Sequence, residues 1–217
     1  VSARALARRH FPRASLGRQL ELLGAGAAVD RDALGARLVE LGYARVPLVE
    51  DPGTFAVRGA VIDVWSPLHE RPVRLDLFGD EVESARAFEP GTQRSLGDVE
   101  ELVVVPAREA LLTAEGKVGA TRAVRELAER VDRPTTKVRE VLDAIGSGMP
   151  FVGTEAILPG FHGGGMGTLF EYLPSPSALI VDDPDAVDRA LAELRSRAEV
   201  QARRRLVATA WWRCVRP

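Results

Sequence analysis

Apolar and polar residues alternate most regularly between Thr54 and Arg94. Phe55, Val57, Val61, Val64, Val73, Leu75, Leu77, Val82, Ala85 and Phe88 recur there largely by twos. That is the period of a strand whose side chains point alternately to its two faces. Two turn clusters interrupt the pattern, Ser66-Pro67-Leu68-His69-Glu70-Arg71-Pro72 and Gly79-Asp80. The stretch therefore predicts three strands in a meander that buries one face and leaves the other wet. The wet face is expected to carry Arg58, Asp63, Arg74, Asp76, Asp80, Glu81, Glu83 and Arg86, with Trp65 and Phe78 nearby. A flat charged face with an aromatic suits protein recognition and offers no pocket for chemistry.

The flanks change period. Asp30 is placed to cap a helix whose Leu34, Leu38 and Leu41 share one face, and Gly42 stands where a left-handed C-cap is wanted. Tyr43 to Val49 reads as a linker or short strand, and Arg18 to Leu23 as a strand or a helix end. Glu101 to Val105 reads as a further strand, stopped by Pro106. One helix packed on a small antiparallel sheet is an α+β unit.

After Ala107 the period is helical. Val118, Val124, Leu127 and Val131 form one stripe. A second helix, opened by Pro134, turns Val138, Val141, Leu142 and Ile145 inward and stops at Gly146. Ala178-Leu179-Ile180-Val181 reads as a buried-type strand, followed by a helix from about Pro184 to Arg205. Strand, turn and helix make the unit of an α/β domain. The final WWRCVRP has no period and reads as an irregular tail, although Trp211 and Trp212 side by side are also a candidate binding patch.

Composition narrows the chemistry. The 217 residues are 46% hydrophobic and 28% charged, with a net charge of −2, which gives no global attraction to nucleic acid. The basic segment Arg4, Arg8, Arg9 and Arg13 reads as a solvated helix end. A single Cys214 excludes an internal disulfide framework, no apolar run approaches a bilayer span, and the first residues lack the apolar core of a signal peptide. The expected location is cytoplasmic, with no membrane partner. His10, His69 and His162 lie far apart, so no metal site and no nucleophile–histidine pair is expected. The glycines at 163–165 and 167 are not followed by Lys-Ser/Thr, so they make no phosphate-binding loop. Asp182-Asp183 at a strand end is the tempting Mg²⁺ site, but either residue serves equally as the N-cap before Pro184.

The runs RGAVIDVWSP and PVRLDLFGDEVESARAFEPGTQRSLGDVEELVVVPARE closely resemble the second domain of bacterial transcription-repair coupling factors. They resemble less closely the equivalent domain of the excision-repair protein UvrB, the alternative reading. Thr92-Gln93-Arg94-Ser95 is similar to the coupling-factor form of its turn. A weaker likeness continues to about Ala192, with Phe151 to Phe161 resembling a loop region of the third domain. The resemblance implies that residues 1–28 are the tail of domain 1a and 29–107 the UvrB-like domain 2. Residues 108–207 would then be domain 1b, a degenerate helicase-like α/β domain, and 208–217 a tail. The chain is thus expected to be a fragment. The resemblance further implies that the exposed sheet of domain 2 binds UvrA, and the matching contact positions are Arg58, Arg74 and Phe78. Two guanidinium forks there would meet carboxylates of the partner, with Asp76 a possible competitor for Arg74. UvrB's Asp-Glu-Ser-His row aligns with Asp182-Asp183-Pro184-Asp185, which lacks the Glu and the His. No catalysis, cofactor or metal is therefore expected in this chain. In the whole protein the resemblance implies an ATP- and Mg²⁺-dependent motor on double-stranded DNA that displaces RNA polymerase.

Overall fold

In the computed structural model the backbone is described for residues 2–131, 135–149 and 151–214, and side chains for 2–130, 136–149 and 151–200. Eight strands follow in chain order: β1 (Glu21–Gly24), β2 (Ala44–Arg45), β3 (Thr54–Arg58), β4 (Val61–Val64), β5 (Val73–Phe78), β6 (Glu81–Phe88), β7 (Ser95–Asp98) and β8 (Glu101–Val104). The helices are α1 (Ala3–Leu6), α2 (Arg13–Gly17), α3 (Arg31–Glu40), α4 (Ala114–Val131), α5 (Thr135–Ser147), α6 (Thr154–Phe161) and α7 (Pro184–Cys214).

The stretch from Thr54 holds four strands where three were expected. Arg58 and Val61 pair across a tight turn in which Gly59 takes φ 59°, a backbone that glycine adopts without penalty. With β2 parallel to β3 and every other pair antiparallel, the sheet runs in the order β2-β3-β4-β5-β6-β7. This small mixed sheet with its covering helix is the α+β unit that the periodicity predicts.

Helix α3 forms as its sequence dictates. Asp30 Oδ1 accepts from the backbone N–H groups of Asp32 and Ala33 at 2.9 and 2.8 Å. Leu34, Leu38 and Leu41 are buried against Phe55, Ile62, Val64, Val73, Leu75, Leu77, Val82 and Ala85 of the sheet. Gly42 ends the helix at φ 87°, and Tyr43 N–H returns to the Leu38 carbonyl. The strand after the meander, β8, pairs antiparallel with β1 in a separate two-stranded sheet, whose Leu23, Leu102 and Val104 close the same core.

The second half departs further from expectation. In α4 the buried positions among the described residues are Gly116, Ala120 and Val124, while Val118 and Leu127 are exposed. The contact with α6 is made through glycine: a Cβ at Gly119 would lie 2.1 Å from the Gly160 carbonyl oxygen. Small residues let the two helices approach closely, and this shifts the seam away from the apolar stripe. Phe151–Phe161, expected as loop, contains α6. Helix α5 presents Val138, Val141, Leu142 and Ile145 to this small core as expected; Pro134 lies outside the described residues.

Ala178–Val181 is not a strand. It pairs with no described strand, and Leu179 and Ile180 are 61% and 91% exposed. An apolar run has β-structure only when a neighbouring strand satisfies its backbone. From Ala114 onward the described elements are helical, so the strand expected there is not seen among the described residues. Helix α7 continues to Cys214, past the expected end at Arg205 and into the expected tail, of which 215–217 lie outside the described residues. No Gly or Pro interrupts residues 185–214 to end it earlier. The Trp211 and Trp212 side chains lie outside the described ones.

Candidate functional site

Strand alternation sends Phe55, Ile62, Val64, Leu75 and Ala85 into the α3 core and turns Ala56, Arg58, Asp63, Arg74, Asp76, Ser84, Arg86 and Phe88 to the opposite face. This face is not uniformly wet. At one end Val49, Ala56 and Phe88 are buried in a small core of their own, with Val46 and Trp65 packed against it. The segment leading from β2 to β3 supplies Val46 and Val49 and so roofs this end of the sheet.

Asp63 sits beside that roof and is fully buried, contrary to its expected place on a wet face. Its cross-strand partner in register is Arg74. Arg74 Nε and Nη2 donate to Asp63 Oδ1 and Oδ2 at 2.7 and 2.9 Å, a bidentate fork. Arg58 reaches the same carboxylate from the other side, donating from Nη2 to Oδ2. Arg74 also donates to the backbone carbonyl and Oε1 of Gln93 at 3.4 and 3.3 Å, and its guanidinium lies 4.6 Å from the centre of the Phe88 ring. The hydrogen bond to Asp63 raises the Arg74 pKa above its ordinary value, partial burial working against it. Arg74 stays a cation at any working pH.

Gln93 takes φ 60°, among the described residues the one non-glycine position with positive φ. Its Nε2 donates to the Val49 and Pro90 carbonyls, which locks the side chain beneath Arg74. The neighbouring pair is separate: Asp76 accepts from Arg86 and from Ser84 Oγ, so it does not compete for Arg74.

Phe78 occupies the far end of β5, on the same face and 80% exposed. Parity in β5 places Arg74, Asp76 and Phe78 together as the sequence predicts. Four residues of strand nevertheless separate Phe78 from Arg74, about 13 Å. The β5–β6 turn that carries Phe78 is held from outside: the backbone N–H groups of Val29 and Gly26 donate to the Asp80 and Val82 carbonyls. A bulge between Asp76 and Leu77 leaves Glu83 without a partner across the ladder.

The three expected positions therefore share a face but not a role. Arg58 is 44% exposed and donates, among the described residues, from Nη2 alone. Arg74 is only 17% exposed and its fork is occupied, so it is not the open fork that was expected. Sequence reasoning missed Asp63 as the hub, together with Gln93 and Phe88.

The acidic row downstream caps a helix. Asp183 Oδ1 accepts from Ala186 N–H at 2.8 Å at the start of α7. Among the described residues no group of three His, Cys, Asp or Glu converges as a metal site requires, and no described helix is long and apolar enough to cross a membrane. The open cleft between α4 and the Pro159–Gly164 bend, about 710 Å³, is rimmed by Glu115, Arg122 and Glu126 without a nucleophile.

Comparison with known proteins agrees with this architecture. Residues 22–109 match the UvrB interaction domain family. Across 216 residues, 95% of this chain, the sequence is 44% identical to the transcription-repair-coupling factor of Myxococcus xanthus, of which that stretch is 18%. It is 30% identical over 184 residues to the coupling factor of Escherichia coli, covering 83% of this chain and 15% of that one. The UvrABC system protein B of Streptomyces avermitilis is 32% identical over 184 residues, covering 74% of this chain and 25% of that protein. The chain thus spans less than a fifth of the length of these coupling factors. The Myxococcus xanthus coupling factor exceeds UvrB in both coverage and identity, and the chain belongs to the UvrB-like, N-terminal region of the bacterial transcription-repair coupling factors.

Proposed function

We propose that the outer face of the β3–β6 sheet binds UvrA and so recruits excision repair to a stalled RNA polymerase. One observation carries this reading. A phenyl ring 80% exposed stands on a sheet face whose arginines are already ordered by a buried carboxylate. Leaving a Phe side chain in water forgoes about 1.5–3 kcal/mol of burial. A rigid aromatic beside a preformed charged face is the composition of an interface hot spot. In this reading Phe78 fills a pocket on UvrA and Arg58 meets an acidic group with its unengaged donors. Arg74 contributes by holding the surface in shape.

In the whole protein, the ATP and Mg²⁺ site, the double-stranded DNA track and the RNA polymerase contact are placed outside these residues. The Asp182–Asp185 row, engaged in capping, fits a chain with no catalytic step of its own. The helicase-like character of residues 108–207 rests on resemblance, and Ala178–Val181 would join a sheet only through strands from elsewhere in the protein.

Calorimetric titration with UvrA tests the reading. Phe78→Ala and Arg58→Ala are each expected to weaken binding by about 1–3 kcal/mol, the hot-spot scale, with an unchanged circular dichroism spectrum. Affinities equal to wild type for both would overturn it. Arg74→Ala is a poor probe, because it strands a buried carboxylate and disturbs folding together with binding.

A further inference from the structure

We propose that Asp63 is a positioning residue for this docking face: its buried carboxylate aims the Arg58 guanidinium at the partner, using Arg74 as a fixed brace. The proposal rests on the UvrA-binding reading of the sheet and adds a residue to it.

The geometry is asymmetric about Asp63. On one side Arg74 makes four hydrogen bonds, to both Asp63 oxygens and twice to Gln93, with the Phe88 ring against its guanidinium. Swinging out would leave the buried carboxylate with Arg58 Nη2 as its one remaining partner among the described residues. On the other side Arg58 touches Asp63 through Nη2 alone and remains 44% exposed. One carboxylate therefore serves two cations unequally. The brace fixes the carboxylate, and the carboxylate fixes the Arg58 fork with Nε and Nη1 unengaged. An arginine at the end of β3 would otherwise sample many rotamers, and ordering them on contact would be charged against binding. Held in advance, Arg58 offers the unengaged N–H groups of Nε and Nη1 to a carboxylate on UvrA.

Net charge and positioning predict opposite signs. Arg58, Arg74 and Asp63 together carry one positive charge. Replacing Asp63 by Asn would raise that to two. If charge alone attracted an acidic partner, Asp63→Asn would bind UvrA more tightly. If Asp63 aims Arg58, the same change binds more weakly despite the added charge.

The test is a double-mutant cycle read by titration of the full chain with UvrA, folding being checked by circular dichroism. Asp63→Asn is expected to weaken binding roughly 5- to 100-fold, the range of a hot-spot residue. Combined with Arg58→Ala it should add little further loss, since both changes remove the same contact. Combined with Phe78→Ala, two strands across and two residues beyond the register of Arg58 with Asp76, about 12 Å by strand spacing, the losses should multiply. Tighter or unchanged binding by Asp63→Asn, or losses that multiply with Arg58→Ala, would overturn the proposal while leaving the docking face standing. Silence of both Arg58→Ala and Phe78→Ala would instead remove the docking face itself. Should Asp63→Asn fail to fold, the cycle is run with Asp63→Glu, which keeps the charge and displaces it by one methylene. That variant is expected to lose affinity with the same coupling to Arg58, and wild-type affinity would overturn the proposal.

Discussion

The two halves of the chain bury their apolar residues to very different extents. In the sheet half, Leu38, Leu41, Phe55, Ile62, Leu75, Val82 and Phe88 are all inaccessible or nearly so, and the sheet is covered on one side by α3 and at one end of the other by residues 46–49. In the helical half the core has, among the described residues, five buried hydrophobic side chains, beside the Gly119–Gly160 approach. Val118, Leu127, Val152, Leu179 and Ile180 remain in solvent there. A surface that must present guanidinium groups to within fractions of an ångström needs the first kind of support. The α3 core, with the roof at one end of the outer face, holds strands that are also laddered to one another, whereas a single helical seam fixes only the helices it joins. This is the support for proposing recognition on the sheet rather than on the longer, more exposed helices.

The largest expected effect sharpens that contrast. Leu75→Ala, in the centre of β5 and fully buried, should destabilise the protein by about 2–5 kcal/mol in urea denaturation. Ile180→Ala, at 91% exposure, should change stability by less than about 0.5 kcal/mol. Comparable losses at the two sites would mean that residues 178–181 are packed, and the contrast would fail.

A smaller effect belongs to the helical half. His162 lies edge-on to Phe11, with ring centroids 4.4 Å apart, and its Nε2 sits 2.7 Å from the Glu109 carbonyl, so the ring donates there. Burial pushes its pKa below the ordinary value, the bond to Glu109 working the other way. With the folded value depressed, the unfolded chain takes up the proton first as pH falls through about 6.5. Stability is therefore lost on acidification in a window just below that pH, and is restored above it. The melting temperature of wild type should fall more steeply from pH 7 to pH 5.5 than that of His162→Asn. Parallel slopes would show that His162 does not titrate differently on folding.

Some of this was legible in the residues. The Asp30 cap, the Leu34-Leu38-Leu41 stripe and Gly42 specify α3 almost completely, because capping, periodicity and the left-handed stop are all local signals. The exposure of Phe78 follows from parity with Arg74 and Asp76. The burial of Asp63 does not follow. Alternation puts it on the Arg58 side, and only the tertiary course of residues 46–49, with Gln93 held in a left-handed backbone, covers it. The Gly59-Ala60 turn was missed because its flanking valines continue the pattern, so two strands read as one. Ala178–Val181 was misread for the opposite reason. Its composition favours a strand, but pairing is not a local property.

The central claim is tested most directly by hydroxyl-radical footprinting of the 217-residue chain with and without UvrA. Phe78 should oxidise readily in the free chain and become protected in the complex, while Val152, Leu179 and Ile180 should stay equally reactive in both. Protection of those three residues with Phe78 still open would place the partner on the helical half and contradict the account.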